Sequence, residues 1–200
     1  MRIILLCLAL LLGYGAFAQD EVQPGKLQFH FSVGQYPASL IVPSFSAIHP
    51  GVNTGVTMTW NKNQKHQLIQ TGNLGFFDHR NLQKALQLFT EIGYKLKLDN
   101  GLAITPLALG GGYVMSISDI NSLNWNAVTN QYEVDNFPVR HNWLISIGPS
   151  VGFETPWTII KDKKTTFFLD YRLQIQGVFV QETVPVIAYA PLRVGFSFGL

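Results

Sequence analysis

From residue 27 onward the chain alternates apolar and polar side chains with a period of two, in one segment after another. Successive side chains of an extended chain point to opposite faces, so this pattern prescribes strands with one greasy and one polar face. The clearest segment is 86–98, where Leu86, Leu88, Ile92, Tyr94, Leu96 and Leu98 oppose Gln87, Glu91, Gly93, Lys95 and Lys97, with Phe89 and Thr90 as exceptions. In 167–179, Phe167, Leu169, Tyr171, Leu173, Ile175 and Phe179 oppose Asp170, Arg172, Gln174 and Gln176. In 192–200, Leu192, Val194, Phe196, Phe198 and Leu200 oppose Arg193, Gly195, Ser197 and Gly199. Weaker alternation marks 27–34, 52–60, 66–77 and 139–154, and 102–115 is apolar or glycine on both faces. That makes about eight strands.

Charged residues are only 13% of the chain, against 47% hydrophobic. Soluble domains carry about 25% charged residues. The net charge of +2, with no basic run interleaved with aromatics, gives no footing for nucleic acid. Arg2, the apolar run Ile3 to Leu12 and the small residues of Ala16-Phe17-Ala18 read as a signal peptide cut after Ala18. The apolar run is shorter than the ~20 residues that span a bilayer as a helix. Residues 19–26 are a polar lead-in, and 27–200 form one domain. The single cysteine, Cys7, lies inside the leader, so the mature chain offers no disulfide, thiolate metal site or cysteine nucleophile. No other stretch is a long apolar helix. A membrane span after residue 18 therefore has to be β.

The connections alternate too. Residues 61–65, 99–101 and 155–164 read as turns, and Asp99-Asn100-Gly101 is a tight hairpin signal because Asn and Gly tolerate positive φ. Residues 35–51, 78–84, 116–138 and 178–190 read as the longer loops at the opposite end. Pro106 and Pro149 fall inside strands and call for bulges, since each removes a ladder donor. Leu82, Ala85, Leu86, Phe89 and Ile92 also carry a helical spacing, so a short helix over 81–92 is the alternative to a strand there.

A soluble barrel turns its apolar face inward. Here the polar face holds many Gly and Ser residues together with Glu91, Arg140, Glu154, Asp170, Arg172 and Arg193, which suits a cramped polar interior and a greasy exterior. Tyr36, Trp60, Phe76, Phe77, Tyr113, Trp157 and Phe179 fall near strand ends, where interfacial aromatic girdles sit. The final stretch, Arg193-Val194-Gly195-Phe196-Ser197-Phe198-Gly199-Leu200, resembles the terminal strand signal of bacterial outer-membrane barrels, with Arg193, Gly195, Phe198 and Leu200 in its key places. Leu200 stands where that family usually has Phe. The resemblance implies an all-β, up-and-down antiparallel transmembrane β-barrel, read by the barrel-assembly machinery and in contact with outer-membrane lipid and lipopolysaccharide. The overall style is also similar to the outer-membrane barrels abundant in Bacteroidota.

Chemistry is sparse. The five histidines form no metal-binding spacing, no cofactor motif is present, and Gly110-Gly111-Gly112 lacks the Lys-Ser/Thr of a phosphate loop. His30 and Ser32 share a strand face and resemble the His-x-Ser pair of a small lipid A deacylase barrel, although Val33 stands where that family has Asn. Asp78 and His79, followed by Arg80 and Asn81, could serve as an acid–base pair or bind a phosphate at a loop. Trp125 and Tyr132 sit in the longest loop without naming a surface partner. Glu91, Asp170, Arg172 and Arg193 share the inward face and should pair, because an unpaired charge in a low-dielectric lumen costs several kcal/mol. Such pairs plug an eight-stranded barrel. The expected role is structural or surface interaction; the alternatives are a lipid-modifying enzyme, or a carrier that takes a small hydrophobic molecule in laterally near Pro106 or Pro149.

Overall fold

The computed structural model describes residues 27–39, 47–80, 82–118, 122–126, 128–135, 139–160, 163–180 and 184–200. Residues 1–26, read above as signal peptide and lead-in, lie outside the described residues. The strands are β1 (Gln28–Gln35), β2 (Pro50–Thr59), β3 (His66–His79), β4 (Gln83–Lys97), β5 (Leu102–Ser118), β6 (Ser122–Asn126), β7 (Gln131–Asp135), β8 (Val139–Ile160), β9 (Lys163–Tyr171), β10 (Leu173–Val180), β11 (Val184–Tyr189) and β12 (Leu192–Gly199). β1 to β5 pair in sequence, β5 pairs with β8, and β8 pairs with both β9 and β10. β12 pairs with β9 and with β1, so every neighbour is antiparallel and the sheet closes.

Eight staves result, because two of them are interrupted strands. β9 and β10 are one stave broken at Arg172. β11 and β12 are another, broken at Ala190 and Pro191, and the register passes the break unshifted from Gln174↔Tyr189 to Tyr171↔Leu192. Across the break the Arg172 amide still donates to the Pro191 carbonyl at 3.0 Å. β6 and β7 form a separate hairpin between β5 and β8.

The two proline sites share one bulge. At Pro106 a bulge forms: three steps on β5, from Ile104 to Leu107, oppose two on β4, from Leu96 to Tyr94. Pro149 lies opposite the same bulge: three steps on β5, from Thr105 to Ala108, oppose two on β8, from Ser150 to Gly148. The pairing on its other side is regular. Ile147↔Leu173 and Ser150↔Asp170 keep one register, and the missing donor falls where the partner stave is itself interrupted. The 81–92 helix is also absent, since β4 runs from Gln83 and pairs along its length with β3 and β5. Backbone donors and acceptors filled on both sides outweigh a helical side-chain spacing.

Strands run further than their alternation suggests. Residues 155–164 are no extended turn: β8 reaches Ile160, which pairs with Lys163. Residues 178–190 are mostly strand as well, with β10 ending at Val180 and β11 starting at Val184. At the 99–101 turn Gly101 takes a φ of 84°, and the hairpin closes through Leu98 N donating to Leu102 O at 2.7 Å. The 61–65 and 99–101 connections and the Ile160↔Lys163 pair share one end of the barrel, here the turn end. The connection carrying β6 and β7 belongs to the other, the loop end.

The apolar faces look outward. Leu74, Leu86, Leu88, Ile92, Leu107 and Leu109 are exposed on the barrel wall. The buried polar residues come from the other face of the same strands, among them Asn53, Asn73, Gln87, Glu91, Ser146 and Arg193. This is the inverse of a water-soluble barrel. The aromatics expected at the girdle divide. Trp60, Phe76 and Tyr113 are exposed on the wall, but Tyr36 and Phe77 are fully buried in the lumen. The side chains of Trp157 and Phe179 lie outside the described residues.

Candidate functional site

The lumen is packed in layers that differ in chemistry. At the loop end lies an apolar plug of Tyr36, Phe77, Phe89, Val114, Leu144 and Tyr189. The Tyr36 and Phe77 rings stack at 4.9 Å with an interplanar angle of 6°, and Phe77 meets Tyr189 at 5.0 Å. Gly51 makes the stack possible: a Cβ there would lie 2.3 Å from the Tyr36 ring. The alternation signals one member of this plug, since Phe89 is the apolar exception on the inward face of 86–98.

Interleaved with it, glutamines reach across the lumen from β4 to β10. Gln83 Nε2 donates to Gln176 Oε1 at 2.9 Å and to the Tyr189 hydroxyl at 2.7 Å, and Gln87 Nε2 donates to Gln174 Oε1 at 3.1 Å. These pairs join staves that are not neighbours in the sheet. They tie opposite walls together, and only barrel closure brings them into reach.

The middle layer holds the four inward charges, which the structure brings together. Arg193, Glu91, Arg172 and Asp170 are 1%, 3%, 5% and 6% exposed. Arg193 grips Asp170 with two bonds of 2.8 Å, Nε to Oδ1 and Nη2 to Oδ2. Arg172 grips Glu91 from Nε at 3.0 Å and Nη2 at 3.3 Å. Arg172 Nη2 lies 3.9 Å from Asp170 Oδ2, linking the two forks. Ser146 Oγ adds a 2.6 Å bond to Glu91 Oε1, and Arg172 Nη1 donates to the Pro149 and Tyr171 carbonyls at 2.7 and 3.1 Å. Two cations thus face two anions through paired hydrogen bonds, the geometry that best offsets the desolvation of buried charge.

At the turn end a polar cavity of about 90 Å³ is lined by His30, Asn73, Lys95, Thr105, Asp170 and Arg172 among others. His30 is buried here, with Nε2 3.0 Å from Asn73 Oδ1 and Nδ1 3.2 Å from Thr57 Oγ1. Its ring nitrogens thus meet an amide and a hydroxyl, neither of them Ser32 or a carboxylate. Ser32 is 1% exposed on the same inward face, away from the lipid-modifying position at the outer rim that the deacylase comparison requires. Asp78 and His79 are adjacent on β3 and so point to opposite faces, which separates them as an acid–base pair. His79 turns inward and stacks on His49 at 3.6 Å. Asn81 lies outside the described residues. The carrier reading fares no better: the loop-end lumen is filled by the aromatic plug, and the cavity at the other end is polar.

Of the terminal-strand residues, Arg193 serves the charge layer. Phe198 packs its ring 5.3 Å from Phe29, and Leu200 N donates to Leu27 O at 2.8 Å. A Cβ at Gly195 would lie 2.2 Å from the Phe31 carbonyl.

No protein-family model and no curated protein matches the chain. Solved structures do match, in thirteen chains. Neisserial surface protein A superposes with a TM-score of 0.52 at 10% identity, over 87% of this chain and 96% of that one. Ail, the attachment invasion locus protein of Yersinia pestis, gives 0.43 at 12% identity over 88% and 99%. The outer membrane protein OprG of Pseudomonas aeruginosa gives 0.40 at 8% over 88% and 97%. What the chain shares with the Neisserial protein is its fold, a small closed antiparallel β-barrel.

Proposed function

We propose that this chain is an integral protein of the bacterial outer membrane, a plugged barrel that acts structurally or through its surface loops. One observation carries this reading: the apolar residues wrap the outside of a closed barrel while the charges are sealed inside. The largest apolar patch on a typical soluble monomer is about 300–600 Å². A belt running around every stave fits only a hydrocarbon surrounding. Short turns then face the periplasm and the loop end faces outward. The β6–β7 hairpin, whose register pairs Trp125 with Tyr132, is the loop-end element best placed for a partner.

The rest of the reading follows from this placement. Residues 1–18 are the export signal, Arg193, Gly195, Phe198 and Leu200 present the terminal strand to the assembly machinery, and the loop-end rim meets lipopolysaccharide. Kinship with Bacteroidota barrels rests on strand pattern and terminal motif. A membrane fraction run on a detergent gel should show the chain migrating differently before and after boiling, as folded barrels do; identical migration would argue against the reading. In planar bilayers the layered plug should hold steady conductance at baseline. A large constant conductance would contradict the plug.

A further inference from the structure

The outer wall carries a groove where β1, β12, β9 and β8 lie side by side. Register places Phe31, Phe196, Phe167 and Phe153 at one height across these four strands. Next to this shelf, toward the loop end, the same strands present the smaller Val33, Val194, Leu169 and Val151. The step from large rings to short aliphatic chains leaves an apolar trough of about 520 Å³. Mobile bulk lipid would cover a smooth wall equally well; a step in the wall gives one chain a preferred seat.

Charge at the nearby rim says which lipid. Lys163 lies an even number of positions before the outward Phe167 and Leu169 on β9, four residues from the shelf, about 14 Å at ~3.4 Å per residue. Lysine stems lie along apolar surface while the ammonium reaches the headgroup layer. The neighbouring carboxylate is already engaged, since Glu154 pairs with Lys164 at 3.2 Å. Lys62, Lys65 and Lys97 stand at the same end, where Asp99 is the other described acidic side chain and pairs with Lys65 at 2.9 Å. Anionic headgroups are favoured beside such a collar.

We propose that this groove and Lys163 form a binding site for one anionic glycerophospholipid of the periplasmic leaflet. The acyl chain lies in the trough beside the phenylalanine shelf, and the phosphate meets the Lys163 ammonium. The site rests on the outer-membrane reading above.

Native mass spectrometry of the refolded barrel in mild detergent, with phosphatidylglycerol or phosphatidylethanolamine added, tests it. Phosphatidylglycerol should be retained as a single adduct, at least tenfold more strongly than phosphatidylethanolamine. Lys163→Glu should remove that preference, while Lys84→Glu at the opposite rim should leave it. Val194→Trp, or Val33→Phe should the first fail to fold, fills the trough and should abolish the adduct. Equal retention of both lipids, an unchanged Lys163→Glu, or a folded groove-filled variant that keeps the adduct would each overturn the site. Boiled and unboiled gel lanes of every sample report the barrel separately, so a chain that folds without holding lipid refutes the site alone.

Discussion

Asp170→Ala is expected to destabilise the barrel by about 3–5 kcal/mol, the cost of stranding a buried charge. The reason is Arg193, which is 1% exposed and spends both Nε and Nη2 on that one carboxylate. Without it the guanidinium remains in the middle of the lumen, with the Arg172 cation close by. Glu91→Ala should cost less, because Arg172 keeps the Pro149 and Tyr171 carbonyls as acceptors. Removing both ends, as in Asp170→Leu with Arg193→Met, should recover most of the loss, since an apolar replacement of a buried pair is often neutral or better. Urea unfolding in lipid vesicles, followed by tryptophan fluorescence, orders the three variants. A single Asp170→Ala as stable as the parent would mean that the charge layer is hydrated and contributes little.

Leu88→Arg has the second large effect. Leu88 is 61% exposed on the wall, near the middle of β4. On a water-soluble barrel an arginine there would be harmless, as surface substitutions usually fall within about ±0.5 kcal/mol. Facing the bilayer midplane, it should cost about 2–4 kcal/mol. Val139→Arg, at the start of β8 near the rim, should cost only about 0–1 kcal/mol. The difference between the two positions, read from the same unfolding curves, depends on depth in hydrocarbon. Equal costs at both would point to a wall that meets water.

The fold was largely legible because alternation reports the two faces of a strand directly, and four charges on otherwise apolar segments stand out as inward groups. Other features depend on partners that local pattern does not reveal. The lysine-rich stretch 161–164 has the composition of a turn, and only pairing across Ile160↔Lys163 shows how far the hairpin extends. Val184–Tyr189 reads as loop until β10 supplies its register. Tyr36 and Phe77 sit at strand ends, where composition suggests a headgroup girdle, yet they stack in the lumen over the space that Gly51 leaves. The Gln83–Gln176 and Gln87–Gln174 bonds connect staves on opposite sides of the lumen, a relation that closure creates and a linear pattern does not carry. His30 and Ser32 share a face as their spacing requires, but the neighbours that decide their chemistry, Asn73 and Thr57, come from β3 and β2.

Site-directed spin labelling along β4 probes most directly which face meets lipid. The only cysteine in the sequence is Cys7, which lies in the proposed export signal, so a single cysteine can replace each residue in turn from Leu86 to Ile92 and carry a nitroxide. In lipid vesicles, labels at the even positions should be reached by oxygen dissolved in the bilayer and shielded from a water-soluble nickel chelate, while odd positions should be poorly reached by either. Labels at 86, 88 and 92 that respond to the nickel chelate would show that these side chains face water, and the account would fail.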